Sequence, residues 1–494
     1  MRILNREQVV SHGFEEGRRI VTDIMEHGLQ AADPYVNTSR LLHLEGNRLY
    51  VGDARFEADH DPQKGMSIYD LTQIENVYIV GAGKGVQRVA KALEEALGDH
   101  LTGGCVIAKH GDPLILEKTE VVFGAHPIPD EGCVKGCERI KALSSKVTEK
   151  DLVFTIIGNG GSSLLTMPEE GISLEDVKRL TAMMQIQKGV TTIELNAIRN
   201  HVDQMKGGKM TRLFSRAQCV HIVITDANHH VIQAPRHDYE GLMTGNVWLH
   251  NLPEGSTFAD AVEILHRYDA WEECPQSIRD HLLRADPAAE TVKFEEFRNH
   301  RFRVFGVMPD AEHFLPTAVR RARELGLPCH ILTQFLQAES SQCARVYASI
   351  AKNIEAFDMP FQTPVVLLSS GEMLVTVEKA DGIGGRNQEF ALQCAREIAG
   401  HHRIVMASVD SDGTDGPGGL RLEGAPSCLG GGIVDGYTWQ RAQERGVDIH
   451  KALKTHATSA ALWRLDCGLH IEQNISLNDL TIIYICLLYT SRCV

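Results

Sequence analysis

A glycine-rich loop with one lysine is the first stretch of this sequence that could carry chemistry. In VYIVGAGKGVQRVAKALEEAL, residues 77–97, an apolar run ends in GAGKG (81–85) and passes at once into a helical pattern. Backbone amides at the start of a helix bind phosphate, and glycines let the chain approach it closely. A Walker A loop is excluded, because Gly85 follows the lysine where Ser or Thr would hold magnesium. A dinucleotide fingerprint is also broken, because Val86 replaces its third glycine.

Four further loops combine glycines with polar or charged side chains. They are GNGGSS (158–163), ELNAIRNHVDQMKGGKM (194–210), GIGGRNQEFAL (382–392) and VDSDGTDGPGG (409–419). Each of them alone is an ordinary tight turn, and Asp412 and Asp415 are also common turn residues. Their combination after several separate strands favours phosphoryl transfer, in which cations and amides hold phosphate charge while carboxylates hold magnesium.

The elements that must position these loops are strands that alternate with amphipathic helices. Apolar runs predict strands at, among others, residues 77–80, 152–157, 374–377 and 404–408. This alternation predicts an α/β fold with mostly parallel sheets and helices on both faces. In such sheets ligands bind beyond the carboxyl ends of the strands, which is where these loops lie. The polar segment 286–302 predicts a domain boundary near residue 300.

Composition narrows the class of protein. A chain of 494 residues suggests at least two domains. Its net charge of −15 argues against a nucleic-acid partner or an anionic membrane surface. The sequence has neither a signal peptide pattern nor an apolar stretch long enough to span a membrane. The 12 cysteines are scattered without a zinc-binding pattern, so reduced thiols and a cytoplasmic location are expected.

The motifs, taken in order, resemble those of the glycerate 2-kinases whose C-terminal part is a MOFRL domain. The matching segments are IVGAGKG, HPIPDEG, DLVFTIIGNGGSSLL, ELNAIRNHVDQMKGGKM, SGEMLVTV, GIGGRNQEFAL and SDGTDGP, and they extend over almost the whole chain. The resemblance implies a Rossmann-like N-terminal domain at 1–300 and a smaller α/β MOFRL-type domain at 301–485. It also implies an active site in the cleft between these domains.

The resemblance further implies a reaction, its cofactors and its site. Members of the family transfer a phosphoryl group from ATP to the 2-hydroxyl of D-glycerate with a divalent metal such as Mg²⁺, giving 2-phosphoglycerate and ADP. By matching motifs, Lys84 and Arg386 resemble the catalytic cations. Phosphate or nucleotide contacts are implied for Gly81, Gly83, Gly158, Gly160, Gly161, Ser162 and Ser163, and substrate or cleft positions for Asn196, Arg199, Lys206, Asn387 and Glu389. Magnesium would be held by carboxylates among Asp226, Asp412 and Asp415, and the expected partner is a small-molecule substrate, with the protein a monomer or a homodimer.

Other functions stay open, because several loops differ from the family pattern. Met243-Thr244-Gly245, for example, stands where Ser-Gly-Pro is usual. One alternative is a kinase for another small hydroxy or sugar acid. A second is a hydroxypyruvate reductase, against which the broken dinucleotide fingerprint counts, together with Lys109 and His110 in place of a ribose-binding acid. A third is a ligand-binding homologue without catalysis.

The last residues of the sequence form a separate question. Residues 486–494, CLLYTSRCV, resemble the translation of two transposase-adapter ends joined head to head. We therefore expect this tail to derive from library preparation. Sequencing the gene from source DNA tests this expectation, since nucleotides unlike the adapter would contradict it.

Overall fold

The computed structural model describes residues 1–227, 238–310, 313–377, 382–472 and 478–486, so the predicted tail lies, apart from Cys486, outside the described residues. The chain divides into two compact units. The first unit is Asp33–Asp310, and the second unit combines Met1–Ala32 with Ala311–Val494. The domain boundary predicted near residue 300 differs from this division, because that prediction assigned residues 1–32 to the first domain.

The first unit is built on a parallel six-stranded sheet. Its strands are β4 (Val77–Ala82), β5 (Gly103–Lys109), β6 (Glu120–Gly124), β7 (Leu152–Ile157), β8 (Gln218–Val223) and β9 (Arg301–Gly306). The spatial order is β6-β5-β4-β7-β8-β9, and all neighbours are parallel. This is the doubly wound order of Rossmann-like domains, which reverses between β4 and β7. Every residue of β4 and β7 is buried, which explains why their sequences are apolar apart from Thr155.

Eleven α-helices, two short 3-10 helices (Gly98–His100 and Pro287–Ala289) and a small antiparallel sheet complete the described part of the first unit. The sheet contains β1 (Leu42–Glu45), β2 (Arg48–Val51) and β3 (Ser67–Asp70). The helices are α3 (Pro34–Leu41), α4 (Val86–Leu97), α5 (Glu131–Ser144), α6 (Gly161–Leu164), α7 (Leu174–Thr181), α8 (Thr192–His201), α9 (Lys209–Leu213), α10 (Tyr239–Thr244), α11 (Phe258–Arg267), α12 (Gln276–Arg284) and α13 (Phe294–Phe297). A π-helical turn, Ala182–Gln187, follows α7.

The second unit contains a mixed sheet. Its strands are β10 (Cys329–Leu336), β11 (Val365–Gly371), β12 (Ile404–Asp410), β13 (Gly431–Asp435), β14 (Gly468–Leu469) and β15 (Asp479–Ile485). The order is β10-β11-β15-β12-β13-β14, and only the β10–β11 pairing among these strands is parallel. The strand predicted at residues 374–377 is wrong, since only Leu374 forms an isolated bridge there, with Glu339. Instead, β15 pairs with β11, and it lies between β11 and β12, antiparallel to both.

Two N-terminal helices belong to the second unit. They are α1 (Arg6–Val10) and α2 (Glu15–Ala31), and the later helices are α14 (Phe314–Glu324), α15 (Ser340–Phe357), α16 (Arg386–Glu397), α17 (Thr438–Glu444), α18 (Ile449–Lys454) and α19 (Thr458–Arg464). Arg18 of α2 is fully buried, and its Nε donates to Asp435 Oδ2 at 2.5 Å. Its Nη1 also donates to the Val9 carbonyl oxygen at 2.9 Å. This buried ion pair attaches the N-terminal segment to β13, because a charge in the core must keep its partner. Of the helices in the described ranges, not one has the length and apolar character required to cross a membrane.

Candidate active site

Two of the predicted glycine loops interlock at the carboxyl ends of β4 and β7. Ala82 and Ile157 are register partners at the ends of these strands. A Cβ atom on Gly158 would lie 2.3 Å from the Lys84 carbonyl oxygen, and one on Gly83 would lie 2.6 Å from the Gly158 carbonyl oxygen. Only glycine allows so close an approach of two backbones. The loops therefore form one surface at the point where the strand order reverses, which is the usual ligand position in such sheets.

Backbone hydrogen bonds hold the two loops together. The Lys84 amide donates to the Asn159 carbonyl oxygen at 2.7 Å, and the Gly158 amide donates to the Ala82 carbonyl oxygen at 3.0 Å. The Gly161 amide donates back to the Gly158 carbonyl oxygen at 3.0 Å. These three amides are hydrogen-bonded within the loops. The Lys84 side chain and the Ser162 hydroxyl are therefore better suited than these amides to bind a ligand. Lys84 is half-buried and immediately precedes Gly85, the N-cap of α4.

The two serines of the second loop have different partners. Ser163 donates its hydroxyl to the Ala125 carbonyl oxygen at 3.1 Å. Ser162 Oγ lies 2.8 Å from Nε2 of His250, a buried histidine. Burial, together with the nearby charges of Lys206 and Arg199, lowers the pKa of His250 well below its ordinary value. The Gly207 amide donates to His250 Nδ1 at 3.5 Å, so the neutral ring carries its proton on Nε2 and donates to Ser162. The Ser162 proton is then directed away from the histidine and can be donated to a ligand oxygen.

Two of the predicted cleft residues, Arg199 and Lys206, line a small cleft within the first unit. Its lining includes Ser162, Thr166, Thr181, Arg199, Asp203 and Lys206. Arg199 Nη2 donates to Thr181 Oγ1 at 3.3 Å, and Lys206 Nζ donates to Asp203 Oδ2 at 2.6 Å and to Thr166 Oγ1 at 2.9 Å. Asn196, which precedes Arg199 by three residues in α8, is fully buried. Asp203 and His250 were not predicted as site residues: Asp203 belongs to the 194–210 segment but was not singled out there, and His250 lies outside all of the glycine loops.

Asp226 lies just beyond β8, on the same edge of the sheet as the glycine loops. Its Oδ2 accepts a hydrogen bond from the Asp310 amide at 2.5 Å. The carboxylate therefore bridges the segments that follow β8 and β9.

Arg386, the predicted second cation, begins α16 in the second unit. Its Nε donates to Asp479 Oδ1 and Oδ2 at 3.0 and 2.9 Å, and its Nη2 donates to Asp410 Oδ2 at 2.7 Å. Its Nη1 faces the exposed Glu372 at 3.3 Å. Asp410 and Asp479 are register partners of β12 and β15, and both are buried. Asp479 was missed as a site residue, although its segment LNDL follows the predicted motifs in the sequence.

Asn387 and Asp415 have structural partners in this unit. Asn387 is fully buried, and its amide nitrogen Nδ2 donates to Asp479 Oδ1 at 2.7 Å. Asp415 caps α16, since its Oδ1 accepts from the Asn387 amide at 3.2 Å and its Oδ2 accepts from the Gln388 amide at 2.9 Å. Glu389 is paired with His456, whose Nδ1 lies 2.8 Å from Glu389 Oε2.

The loop after β12 is held by its own aspartates. Asp410 Oδ1 accepts from the Asp412 amide at 3.0 Å, and Asp412 Oδ1 accepts from the Thr414 amide at 2.8 Å. Burial and the neighbouring Asp412 and Asp479 raise the pKa of Asp410 well above its ordinary value, whereas Arg386 opposes this shift. In the part of the chain that the structure describes, no group of three or more His, Cys, Asp or Glu side chains is placed to hold a metal ion.

Two helix-capping aspartates should respond to pH in opposite directions. Burial raises the pKa of Asp415 to about 6, although the backbone amides of α16 oppose the shift. Between pH 4 and pH 6 the folded chain then holds a proton that the unfolded chain has lost, so the free energy of unfolding falls as the pH rises. In the wild type the free energy of unfolding should fall by on the order of 2 kcal/mol over this interval because of Asp415. Asp415→Asn keeps a capping oxygen but does not titrate, so this part of the fall should disappear. Denaturant unfolding at pH 4, 5 and 6 measures it.

Asp130, the N-cap of α5, provides the matched control. Burial would raise its pKa, but hydrogen bonds from His110 and from the Ala125 and Cys133 amides lower the pKa to about 2. Its stabilising contribution is therefore present above pH 4 and is lost as the pH falls toward 2. Asp130→Asn should leave the slope between pH 4 and pH 6 unchanged. If the free energy of unfolding of Asp415→Asn also depends on pH as in the wild type between pH 4 and pH 6, the raised pKa of Asp415 is contradicted.

Comparisons with known proteins cover both units. Residues 20–283 match the family described as a domain of unknown function, DUF4147, and residues 365–475 match the MOFRL family. The chain is 33% identical over 452 residues to a glycerate 2-kinase of Pyrococcus horikoshii, which covers 90% of this chain and 93% of that protein. It is 31% identical over 384 residues to an Agrobacterium vitis protein named as a hydroxypyruvate reductase, which covers 78% of this chain and 81% of that protein.

The fold has a matching solved structure as well. The crystal structure of a glycerate kinase from Thermotoga maritima superimposes with a TM-score of 0.71 at 28% sequence identity. The match covers 94% of this chain and 99% of that one. By sequence and by fold, this chain belongs to the glycerate kinase family.

Proposed function

We propose that this protein transfers the γ-phosphoryl group of ATP to the 2-hydroxyl of D-glycerate, giving 2-phosphoglycerate and ADP, with Mg²⁺ as cofactor. The observation that carries the proposal is the pair of interlocked glycine loops at the reversal point of the first sheet, with Lys84 between them. A cation and hydroxyl donors at that point suit a phosphate group. The names of the glycerate kinase relatives support the acceptor.

In the first unit, Lys84 and Ser162 are proposed to act on the phosphate. Lys84 would neutralise negative charge that develops on the transferred oxygens, since an ammonium group is a compact point charge. Ser162 would donate its hydroxyl proton to a phosphate oxygen, because His250 already donates to its Oγ. Gly83 and Gly158 contribute by keeping side chains out of the space where the two loops approach each other. Gly81 allows β4 to lie close to Ile156 of β7, Gly160 leaves room for the His126 ring, and Gly161 begins α6. All five are proposed to keep the phosphate position open.

In the second unit, Arg386 is proposed to bind the glycerate carboxylate. Its Nε and Nη2 are held by Asp479 and Asp410, which fixes the plane of the guanidinium. Glu372, the partner at Nη1, is exposed and its ion pair is long at 3.3 Å. Because exposed ion pairs contribute little, the substrate carboxylate can replace Glu372 at that edge. Asn387 and Glu389 would then act through their neighbours, since Asn387 is bonded to the buried Asp479 and Glu389 is paired with the half-buried His456.

Carboxylates are proposed to hold magnesium. Magnesium bound to a nucleotide usually takes only one or two protein carboxylates, with the remaining positions filled by phosphate oxygens and water. Asp226 and Asp412 fit this chemistry, because each is a carboxylate in a loop that follows a strand at its carboxyl end. When bound, the ion neutralises phosphate charge during transfer. Asp415 fits less well, because both of its oxygens cap α16.

A hydroxypyruvate reductase is the second candidate, and the name of the Agrobacterium vitis relative favours it. The last residue of β5 argues against a reductase. It is Lys109, whereas NAD-binding folds have at this position an acidic residue that binds the ribose. Titration of the protein with NADH and NADPH separates the two candidates, since a reductase must bind one of them.

Phosphorus NMR of the purified protein with magnesium-ATP and a panel of hydroxy acids tests the proposal. A 2-phosphoglycerate resonance that appears together with ADP in the D-glycerate sample is the expected result. A phosphate ester on another acid would keep the reaction and change the acceptor. Intact ATP with every acid would overturn the proposal and leave a ligand-binding homologue.

A further inference from the structure

We propose that β10 (Cys329–Leu336) and α15 (Ser340–Phe357) form a docking surface for a second copy of this chain. The two copies would pair along β10, about a twofold axis that passes close to Thr333. The surface lies within the second unit. It goes beyond the proposed reaction, because the Lys84 loop and the Arg386 side chain take no part in it.

The first argument is that β10 is an edge strand without the usual protection. It is the end strand of the mixed sheet, so among the described residues its outer backbone N–H and C=O groups face no neighbouring strand. Edge strands are commonly protected from pairing by charged side chains or by proline. The sequence of β10, CHILTQFL, contains no lysine, arginine, acidic residue or proline. Two shifts of register after Ile331 bend the strand, but they add no charge that would repel a second strand.

The second argument is the apolar surface around this edge. Five large apolar side chains within residues 331–359 are between 41% and 66% exposed, namely Ile331, Phe335, Val346, Phe357 and Met359. Contiguous apolar patches are uncommon on monomeric proteins and usually mark an interaction site.

A groove of about 640 Å³ lies between β10 and α15. Its lining includes Leu332 of β10, Ile350 of α15 and Phe361, and the Phe361 ring stacks on His330 with the ring centroids 4.3 Å apart. The apolar surface therefore continues from the edge strand onto the neighbouring helix.

The third argument is charge, which favours a second copy as the occupant. The chain has a net charge of −15, so two copies repel each other over most of their surfaces. β10 and α15 together contain two basic residues, Arg345 and Lys352, and one acidic residue, Glu355. Repulsion between copies is therefore weak at this surface, which also has few charges for a strongly charged partner to match.

The fourth argument is that β10 is complementary to itself. Two identical strands can pair antiparallel about a twofold axis, so that the same surface of each copy contacts the other. Ile331 and Phe335 lie two residues on either side of Thr333. An axis at Thr333 therefore places Ile331 opposite Phe335 of the partner subunit, and cross-strand pairs of aromatic and β-branched residues are stabilising. The two six-stranded sheets would become one continuous sheet.

The size of the surface fits a dimer of moderate affinity. Eight strand residues and eighteen helical residues each extend over about 26 Å, and a strand with one packed helix is roughly 20 Å wide, which gives on the order of 500 Å² per copy. Standard interfaces bury about 800 Å² per partner, and transient ones bury less. We therefore expect a dissociation constant on the order of 10 μM.

Sedimentation equilibrium of the full chain tests the proposal. The wild type should change from the mass of one chain to that of two between about 1 and 100 μM. Phe335→Lys should raise the dissociation constant at least about 100-fold, because the interface then contains two buried lysines without partners. Leu283→Lys is the matched control, since Leu283 of α12 is 64% exposed, against 66% for Phe335, and lies in the first unit. It should leave the dissociation constant unchanged. Both variants should unfold at the wild-type temperature, because both side chains are exposed.

Thr333→Cys tests the position of the axis. Opposite residues of antiparallel strands have Cα atoms about 4.5 to 5.5 Å apart, a distance that a disulfide can bridge. Oxidation with copper phenanthroline should therefore link two copies, which a non-reducing gel shows as a doubled mass. Ser349→Cys, exposed on α15 away from the axis, should remain unlinked. The wild type gives the background, since its described cysteines are free and all but Cys428 are buried.

Three results would overturn the proposal. A wild type that keeps the mass of one chain at every concentration would leave this surface to another protein. A dimer that Phe335→Lys leaves intact forms through a different surface. A dimeric sample of Thr333→Cys that does not cross-link excludes the twofold axis at this residue. None of these measurements depends on turnover, so the proposed function can fail while the dimer stands.

Discussion

Lys84→Met is expected to lower kcat for phosphoryl transfer about 100- to 1,000-fold, the loss typical of removing one group that stabilises transition-state charge. The fold should remain intact, because the loop is held by the Lys84 backbone amide, which donates to the Asn159 carbonyl oxygen whatever the side chain. Initial rates of ADP release with D-glycerate measure kcat and KM separately. A loss in kcat with little change in KM is the signature of a charge that acts in the transition state.

Lys91→Met is the matched control for Lys84. Lys91 lies on α4, which begins directly after the GAGKG loop, and its Nζ is 3.5 Å from Glu95 one turn further along. A solvent-facing pair of this kind contributes little to stability, so both rates and thermal unfolding should match the wild type. Wild-type turnover in Lys84→Met, with substrate binding retained, would refute the role of Lys84.

Arg386→Met is expected to have the second large effect, on activity and on stability together. Asp410 and Asp479 are buried and lose their cation, and removing one partner of a buried ion pair costs about 3 to 5 kcal/mol. The pKa values of both carboxyls are already raised, first of all by burial, and loss of Arg386 should raise them further. The folded chain then binds protons that the unfolded chain releases, so the destabilisation should be greater at pH 8 than at pH 5.

Arg386→Lys separates the two roles of this side chain. A lysine keeps a positive charge near Asp410 and Asp479, so denaturant unfolding should show much of the stability restored. It cannot offer the bidentate geometry that a carboxylate prefers, so kcat/KM for D-glycerate should remain at least about tenfold low. Glu372→Gln is the control, since that exposed partner should change the free energy of unfolding by less than about 1 kcal/mol. Full activity in Arg386→Lys would exclude bidentate recognition of the substrate by this arginine.

The strands of the first unit and the loops that follow them could be predicted from the sequence. Parallel strands are buried on both faces, so β4 and β7 appear as almost wholly apolar runs that can be recognised without knowledge of the neighbouring strands. The glycines are equally local signals, because a close backbone approach excludes every other residue. Ordered motifs were enough to indicate the family, and the comparisons confirm it. The positions of Lys84 and Arg386 at the starts of helices followed from the same patterns.

Contacts between distant segments could not be predicted in this way. Helix α2 joins the second unit through Arg18 and Asp435, 417 residues apart, and such a pairing leaves no periodic signal near either residue. β15 enters between β11 and β12, which gives Arg386 its partner Asp479 and displaces the strand expected at residues 374–377. Whether a buried charge is matched also depends on the folded neighbourhood. Lys206 and Arg199 look alike as cations on a polar segment, yet of the two only Lys206 forms an ion pair within the described residues, because Asp203 lies 2.6 Å from its Nζ and acts on Arg199 from farther away. Local residue types and spacing determine elements and loops, whereas the partners of each charged side chain depend on the order in which the strands assemble.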